Sequence, residues 1–234
     1  MKEKLKIHCA KCGKKVCSTL LRTKGTSLPA NCPQVTKQNV IEKSLKEYEK
    51  PEIHELARIA SVVEFENYEF IGGVRSPGTV RTVTPRIEET VKFAKRMGFK
   101  KLGIAFCSGL HNEAGMLTEV LENKGFDVVS VACKAGSTPK ERIGIKEEEK
   151  IGGPGFPEVM CSPITQAELM NSENIELAIL FGLCVGHDTL FLKYCKVPVT
   201  VLAVKDRVFG HNPVMGLYLS QAPYYGRLRA KEPY

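Results

Sequence analysis

At 234 residues, with 43% hydrophobic and 26% charged residues, the chain has the make-up of an ordinary globular protein able to bury a proper apolar core. Its longest apolar run, LAILFGLCVG over 177–186, falls far short of the roughly 20 residues a membrane helix needs, and the start carries no apolar signal-peptide region, so the expected compartment is the cytoplasm, with no membrane contact. Residues 1–24 hold eight Lys or Arg against one acid, which places nearly all of the formal +8 charge there, and with no aromatic residue among them the basic stripe with stacking platforms of a nucleic-acid binder is missing.

The chain opens on MKEKLKIHCAKCGKKVC, the start of a cysteine-rich module expected over 1–33 that is too short and polar to bury a core, so a metal has to stabilise it. Nine cysteines in a reducing compartment point to metal ligation or thiol chemistry rather than structural disulfides. A helical connector is expected over 34–70, with Ile41, Leu45 and Tyr48 on one packing face, a break at Pro51, and Ile53, Leu56, Ala57, Ala60 and Val63 on the next. The stretch IGGVRSPGTVRTVTPR (71–86) reads as turns, and Thr84-Pro85 opens a helix that turns Ile87, Val91 and Ala94 inward and stops at Gly98.

From there strands alternate with helices through 71–234. LGIAF (102–106) is a buried strand, and the helix after it carries Leu110, Ala114, Leu117 and Leu121 on one stripe. DVVSVA (127–132), LAILFGL (177–183) and PVTVLAV (198–204) follow as strands, with a short helix near HDTLFLKY. The expected fold is therefore α/β: an open, mainly parallel sheet of about four strands flanked by helices in a three-layer Rossmann-like or flavodoxin-like arrangement. The segment from 134 to about 160 reads as a lid or a disordered excursion, with IGGPGFP (151–157) as flexible covering. No G-x-G-x-x-G or P-loop follows a strand, and in EIHELAR (52–58) Arg58 stands where a metalloprotease helix needs its second His.

Two sets of cysteines carry the chemistry. Cys9, Cys12, Cys17 and Cys32 are spaced C-x2-C-x4-C-x14-C, with Pro33 after the last. Four thiolates suit tetrahedral zinc or a [4Fe-4S] cluster; the missing second C-x2-C knuckle and the Cys-Pro ending favour the cluster. His8 reads as a solvated neighbour of Cys9. In the second set, Cys107, Cys133 and Cys184 each follow a strand, and the carboxyl ends of parallel strands share one edge, where ligands bind at the switch in strand order. Cys161 precedes Ser162, which can cap, and Pro163, so its sulfur sits near a helix N-terminus that favours thiolate. These four are the expected ligands of a second metal site. Cys195 follows no strand and reads as core.

Polar groups populate the same edge. Gly182 and Gly186 in GLCVGHD, with Ser108 and Gly109 after Cys107, let backbone approach a cofactor closely, while His187, Asp188, Lys134, Asp206 and His211 are the candidate catalytic side chains for proton transfer and substrate binding.

The stretch CAKCGKKVCSTLLRTKGTSLPANCP resembles the four-cysteine iron-sulfur motif of corrinoid iron-sulfur proteins and of an Rnf-complex electron-transfer subunit, with a slightly shorter last gap. GLCVGHD, VKDRVFGHNP, CKAGS and QAELMN together resemble an uncharacterised family of prokaryotic metal-binding proteins, a domain of unknown function, over nearly the whole chain. That second resemblance implies metal binding and no settled activity. The expected function is an iron-sulfur protein with two cysteine-ligated sites: an N-terminal cluster that relays electrons from an acidic electron-transfer partner, and a second cluster at the sheet edge serving redox or sulfur chemistry on a small molecule. The alternative is a zinc-binding structural or metal-handling protein without turnover. A third class, a reversible disulfide between strand-end cysteines, has no C-x-x-C beside a strand to support it.

Overall fold

The computed structural model describes residues 6–13, 15, 17, 27–73 and 77–231; Lys2, Lys4, Lys14, Arg22 and Lys24 of the basic N-terminal stretch lie outside them. The chain divides into two units, Met1–Val62 and Val63–Tyr234.

In the first unit a 3-10 turn at Cys9–Lys11 is followed by α1 (Pro33–Thr36), α2 (Gln38–Leu45), a second 3-10 turn (Lys46–Glu49) and α3 (Pro51–Glu66), which runs across the division. Pro51 does more than interrupt: it opens α3, where a missing N–H costs nothing. The packing faces differ from those the sequence predicts. Leu45, Tyr48, Ile53 and Ala60 are exposed, whereas Ile59 and Val63 are buried and Leu56 is half-buried. Positions 56, 59 and 63 lie on one side of a helix with 3.6 residues per turn, so the buried stripe is rotated away from the one centred on Ile53 and Ala60.

After the end of α3 the second unit continues with β1 (Tyr68–Phe70) and β2 (Val80–Thr82), an antiparallel pair; β1 replaces the end of the helical connector expected over 34–70, and β2 lies in what reads as turns. Three-residue strands are too short to show an alternation, and a cross-strand ion pair, Arg81 Nη2 to Glu69 Oε2 at 2.6 Å, marks their register. Next, α4 (Arg86–Arg96) starts directly after Thr84-Pro85 and buries Thr90, Val91 and Ala94; Ile87, in its first turn, stays exposed, contrary to expectation.

The main sheet contains β3 (Lys101–Phe106), β4 (Asp127–Ala132), β5 (Leu177–Phe181) and β6 (Val199–Ala203), all parallel, in the order β4-β3-β5-β6. The connecting helices are α5 (His111–Asn123), α6 (Pro163–Ser172) and α7 (His187–Tyr194). Period-two alternation sends Leu102, Ile104 and Phe106 to one face, against α4 and α5, and Ala105 to the other, where Ala167 and Met170 of α6 and Phe191 of α7 pack. Both faces are thus covered, which is why β3 and β5 read as continuous apolar runs. On the α6 face Gly103 leaves room for the helix: a Cβ there would sit 2.5 Å from Ile175 Cδ1 and 2.9 Å from Met170 Sδ.

This strand order reverses direction between β3 and β5, since the chain leaves β3 for one side of the sheet and returns through β5 to the other. Ligand crevices open at that point, at the carboxyl ends of the strands. The 134–160 segment that follows β4 is folded, not a disordered excursion. Pro139 and Val159 bridge, Lys140 Nζ lies 2.6 Å from Glu158 Oε1, and Lys150, only 7% exposed, is held by Glu141 and Glu147. The chain closes with α8 (Val214–Leu219) and a 3-10 stretch, Pro223–Arg229.

Candidate functional site

The N-terminal cysteines are gathered by local turns. Cys12 N donates to Cys9 O in the 3-10 turn, Cys32 N donates to Pro29 O, and Asn31 Nδ2 reaches Lys6 O at 3.3 Å, tying the two ends of the segment together across 25 residues. As a result Cys9, Cys12, Cys17 and Cys32 all line one cavity of about 580 Å³, beside His8 and Asn31.

At the sheet edge the backbone sets the second group. Cys107 N donates to Phe181 O, prolonging the β3-β5 pairing; Cys133 N donates to Phe106 O; and Ser162 N donates to Cys133 O at 2.7 Å, which fixes the backbone beside Cys161 against the end of β4. Ser162 occupies the N-cap position of α6 with no side-chain capping bond, so its backbone N–H, rather than the hydroxyl expected from the sequence, makes the connection. Cys161 Sγ donates to Cys133 Sγ at 3.8 Å, Cys107 and Cys161 pack on the core cluster that contains Cys133, and the charge of Cys184 is felt at Cys161. Cys184 follows β5 by three residues and accepts a hydrogen bond from Arg207 Nη2 at 3.1 Å.

These contacts separate the two central thiols. The proton held by Cys161, together with the Ser108 N–H at 3.3 Å, the Ser108 hydroxyl and the Lys134 charge, brings the Cys133 thiol down to about 5 in spite of burial. Cys161 is pushed up, first because its proton is bound to Cys133 and then by burial. Cys195 lies against the same core, and burial raises its thiol as well.

The remaining predicted residues fall on or near the edge with varied roles. At Gly182, φ +70°, a Cβ would stand 2.2 Å from Leu110 Cδ1, and Gly186, at φ +85°, is the N-cap of α7. A Cβ at Gly109 would stand 3.6 Å from Lys205 Nζ and 3.9 Å from Cys107 Sγ. His187 has a buried Nδ1 with no hydrogen-bond partner among the described residues. Asp188 Oδ1 accepts its neighbour's N–H, that of Thr189, and Lys134 Nζ donates to Val159 O. Asp206 and His211 close a turn on each other: Asp206 N donates to His211 Nδ1 at 3.2 Å, and Asp206 Oδ1 accepts from Val208 N and Phe209 N.

Sequence reasoning missed Gln166. It is fully buried on α6, and its Nε2 donates to Phe106 O at 3.1 Å and Val131 O at 2.7 Å, so one amide clamps the ends of β3 and β4 close to Cys107 and Cys133. A lone amide among Ala167 and Met170 on the sheet-facing side was the available signal.

Both cysteine sets offer the soft thiolate donors that zinc and iron-sulfur clusters take. Among the described residues no group of three or more His, Cys, Asp or Glu side chains is arranged to hold a metal ion, and this holds for both cysteine sets. Residues 32–202 match the family described as Protein of unknown function (DUF1847). The chain belongs to this family. An uncharacterized protein of Methanocaldococcus jannaschii is 38% identical over 212 residues, 91% of this chain and 94% of that protein. The DUF1847 match contains all four sheet-edge cysteines but only Cys32 of the N-terminal set. No described helix is long and apolar enough to cross a membrane.

Proposed function

We propose that this DUF1847 protein is an iron-sulfur redox protein, with Cys9, Cys12, Cys17 and Cys32 holding a [4Fe-4S] cluster as an electron relay and with the sheet edge as the second cysteine centre. The observation that carries the reading is the single cavity of about 580 Å³ lined by all four N-terminal cysteines. The missing second C-x2-C knuckle and the Cys32-Pro33 ending favour a cluster over a lone zinc ion. A cluster supplies one-electron transfer. The basic residues interspersed with these cysteines in the sequence offset thiolate charge and favour an acidic electron-transfer partner.

At the edge, Cys107, Cys133, Cys161 and Cys184 are the ligands of a second cluster in this reading, placed at the reversal of strand order where a small molecule can enter. Arg207 on Cys184 and Lys134 beside Cys133 offset thiolate charge. His187, whose Nδ1 is free of described partners, is the side chain available to hold a proton there.

Purification without oxygen, a visible absorption spectrum, and counts of iron, zinc and sulfide per chain test the proposal. A brown protein with about eight irons per chain is expected for two four-iron clusters. Cys12→Ser should remove the iron of the first centre and Cys184→Ser that of the second. A colourless protein carrying zinc overturns the reading in favour of a structural or metal-handling role.

A further inference from the structure

We propose that Cys133 and Cys161 also form a redox-active dithiol, which closes to a disulfide in metal-free protein by exchange with a low-molecular-weight disulfide. Three observations carry it. The two sulfurs, 28 residues apart in sequence, are already in contact at 3.8 Å. The 2.7 Å bond from Ser162 N to Cys133 O holds their backbones side by side, so formation of an S–S bond of about 2.05 Å asks for side-chain movement and not for a new fold. Finally, the pair is asymmetric in access: Cys133 is 2% exposed, while Cys161 is half-buried and therefore the sulfur a solute meets first.

The asymmetry fixes the order of steps. Cys161, the accessible sulfur, loses its proton to solvent and attacks a disulfide RSSR; a Cys161–S–S–R bond forms and RS⁻ leaves. Cys133, the deprotonated partner, then attacks the Cys161 sulfur, and the second RS⁻ leaves. The protein pair is oxidised by two electrons, RSSR is reduced to two RS⁻, and the one proton lost from Cys161 balances the charge. Ser108 N–H and hydroxyl, which face Cys133 Sγ at 3.3 and 3.7 Å, hold that sulfur for the second attack. Since the same sulfurs are ligands in the cluster reading, closing the pair blocks metal loading at the edge and leaves the N-terminal cavity free to load.

The full-length chain, stripped of metal with a chelator and equilibrated with oxidised glutathione, is digested and its disulfides mapped by mass spectrometry. The expected result is a crosslink between the peptides bearing Cys133 and Cys161, with complete loss of both free thiols. Cys133→Ser should instead trap a stable glutathione adduct on Cys161, and Cys161→Ser should show neither adduct at Cys133 nor crosslink. Free Cys133 and Cys161 after equilibration, or their crosslinking to other cysteines, overturns the proposal, and wild-type mapping decides it even if a variant fails to fold. A chain that binds no iron yet forms this crosslink overturns only the cluster reading; one that binds eight irons and never forms it overturns only this one.

Discussion

Single residues set how closely the sheet edge can be built. Gly182 and Gly186 flank Cys184, both in the left-handed region, yet they are constrained differently. At Gly182 a Cβ would strike Leu110 Cδ1, while at Gly186 nothing lies within 4 Å. Gly182→Ala therefore adds overpacking to backbone strain and is expected to cost about 2–4 kcal/mol, against about 1 kcal/mol of backbone strain for Gly186→Ala, read from urea unfolding of each variant. Equal costs would mean that Leu110 moves aside and the edge is less tightly built than its contacts imply. The cysteines follow the same logic of local partners: Cys133 is an acid of about 5 because Cys161 and Ser108 face it, and a sulfur without such neighbours would titrate as an ordinary thiol.

Elements are tied at both ends of the sheet by side chains that bond to backbone. At the carboxyl end the Gln166 amide clamps β3 and β4. At the opposite end Glu176, just before β5, accepts the Lys100 and Lys101 N–H groups at 2.5 and 2.9 Å, and these bonds hold its carboxyl below the usual carboxylate range. A group whose folded value is depressed adds stability above its unfolded value of about 4.5 that is lost as pH falls through the folded one. Glu176→Gln is thus expected to lower the melting temperature at pH 7 and to narrow its gap to wild type as the pH is taken down to about 3. A gap that stays constant across this range would show that the carboxylate charge contributes nothing. Helix α5 reads well from sequence because Ala114, Leu117 and Leu121 recur at helical spacing and all are buried, as is Leu110 in the turn before it. By contrast, β1 and β2 did not, since three residues each hold no period, and the stripe of α3 was misplaced because small and β-branched residues occur on several of its sides.

At the scale of the whole molecule, both apolar clusters lie in the Val63–Tyr234 unit, so this unit has a core of its own, whereas the cysteine cavity belongs to Met1–Val62. If a cluster stabilises the first unit, chelation should open its peptide bonds to protease and leave the main calorimetric transition in place; simultaneous loss of that transition would mean that metal also supports the sheet. The sequence by itself determined the parallel α/β architecture, because period-two and period-3.6 patterns report which side of an element is buried. It also determined that Cys107, Cys133 and Cys184 end up along one rim, since each follows a strand and parallel strands end together. Only the tertiary structure decided the pairing of Cys133 with Cys161, the clamp of Gln166 and the hydrogen bond of Arg207 to Cys184. Those contacts join residues 23 to 60 positions apart, and their distances depend on crossover packing and strand order, which no local pattern encodes.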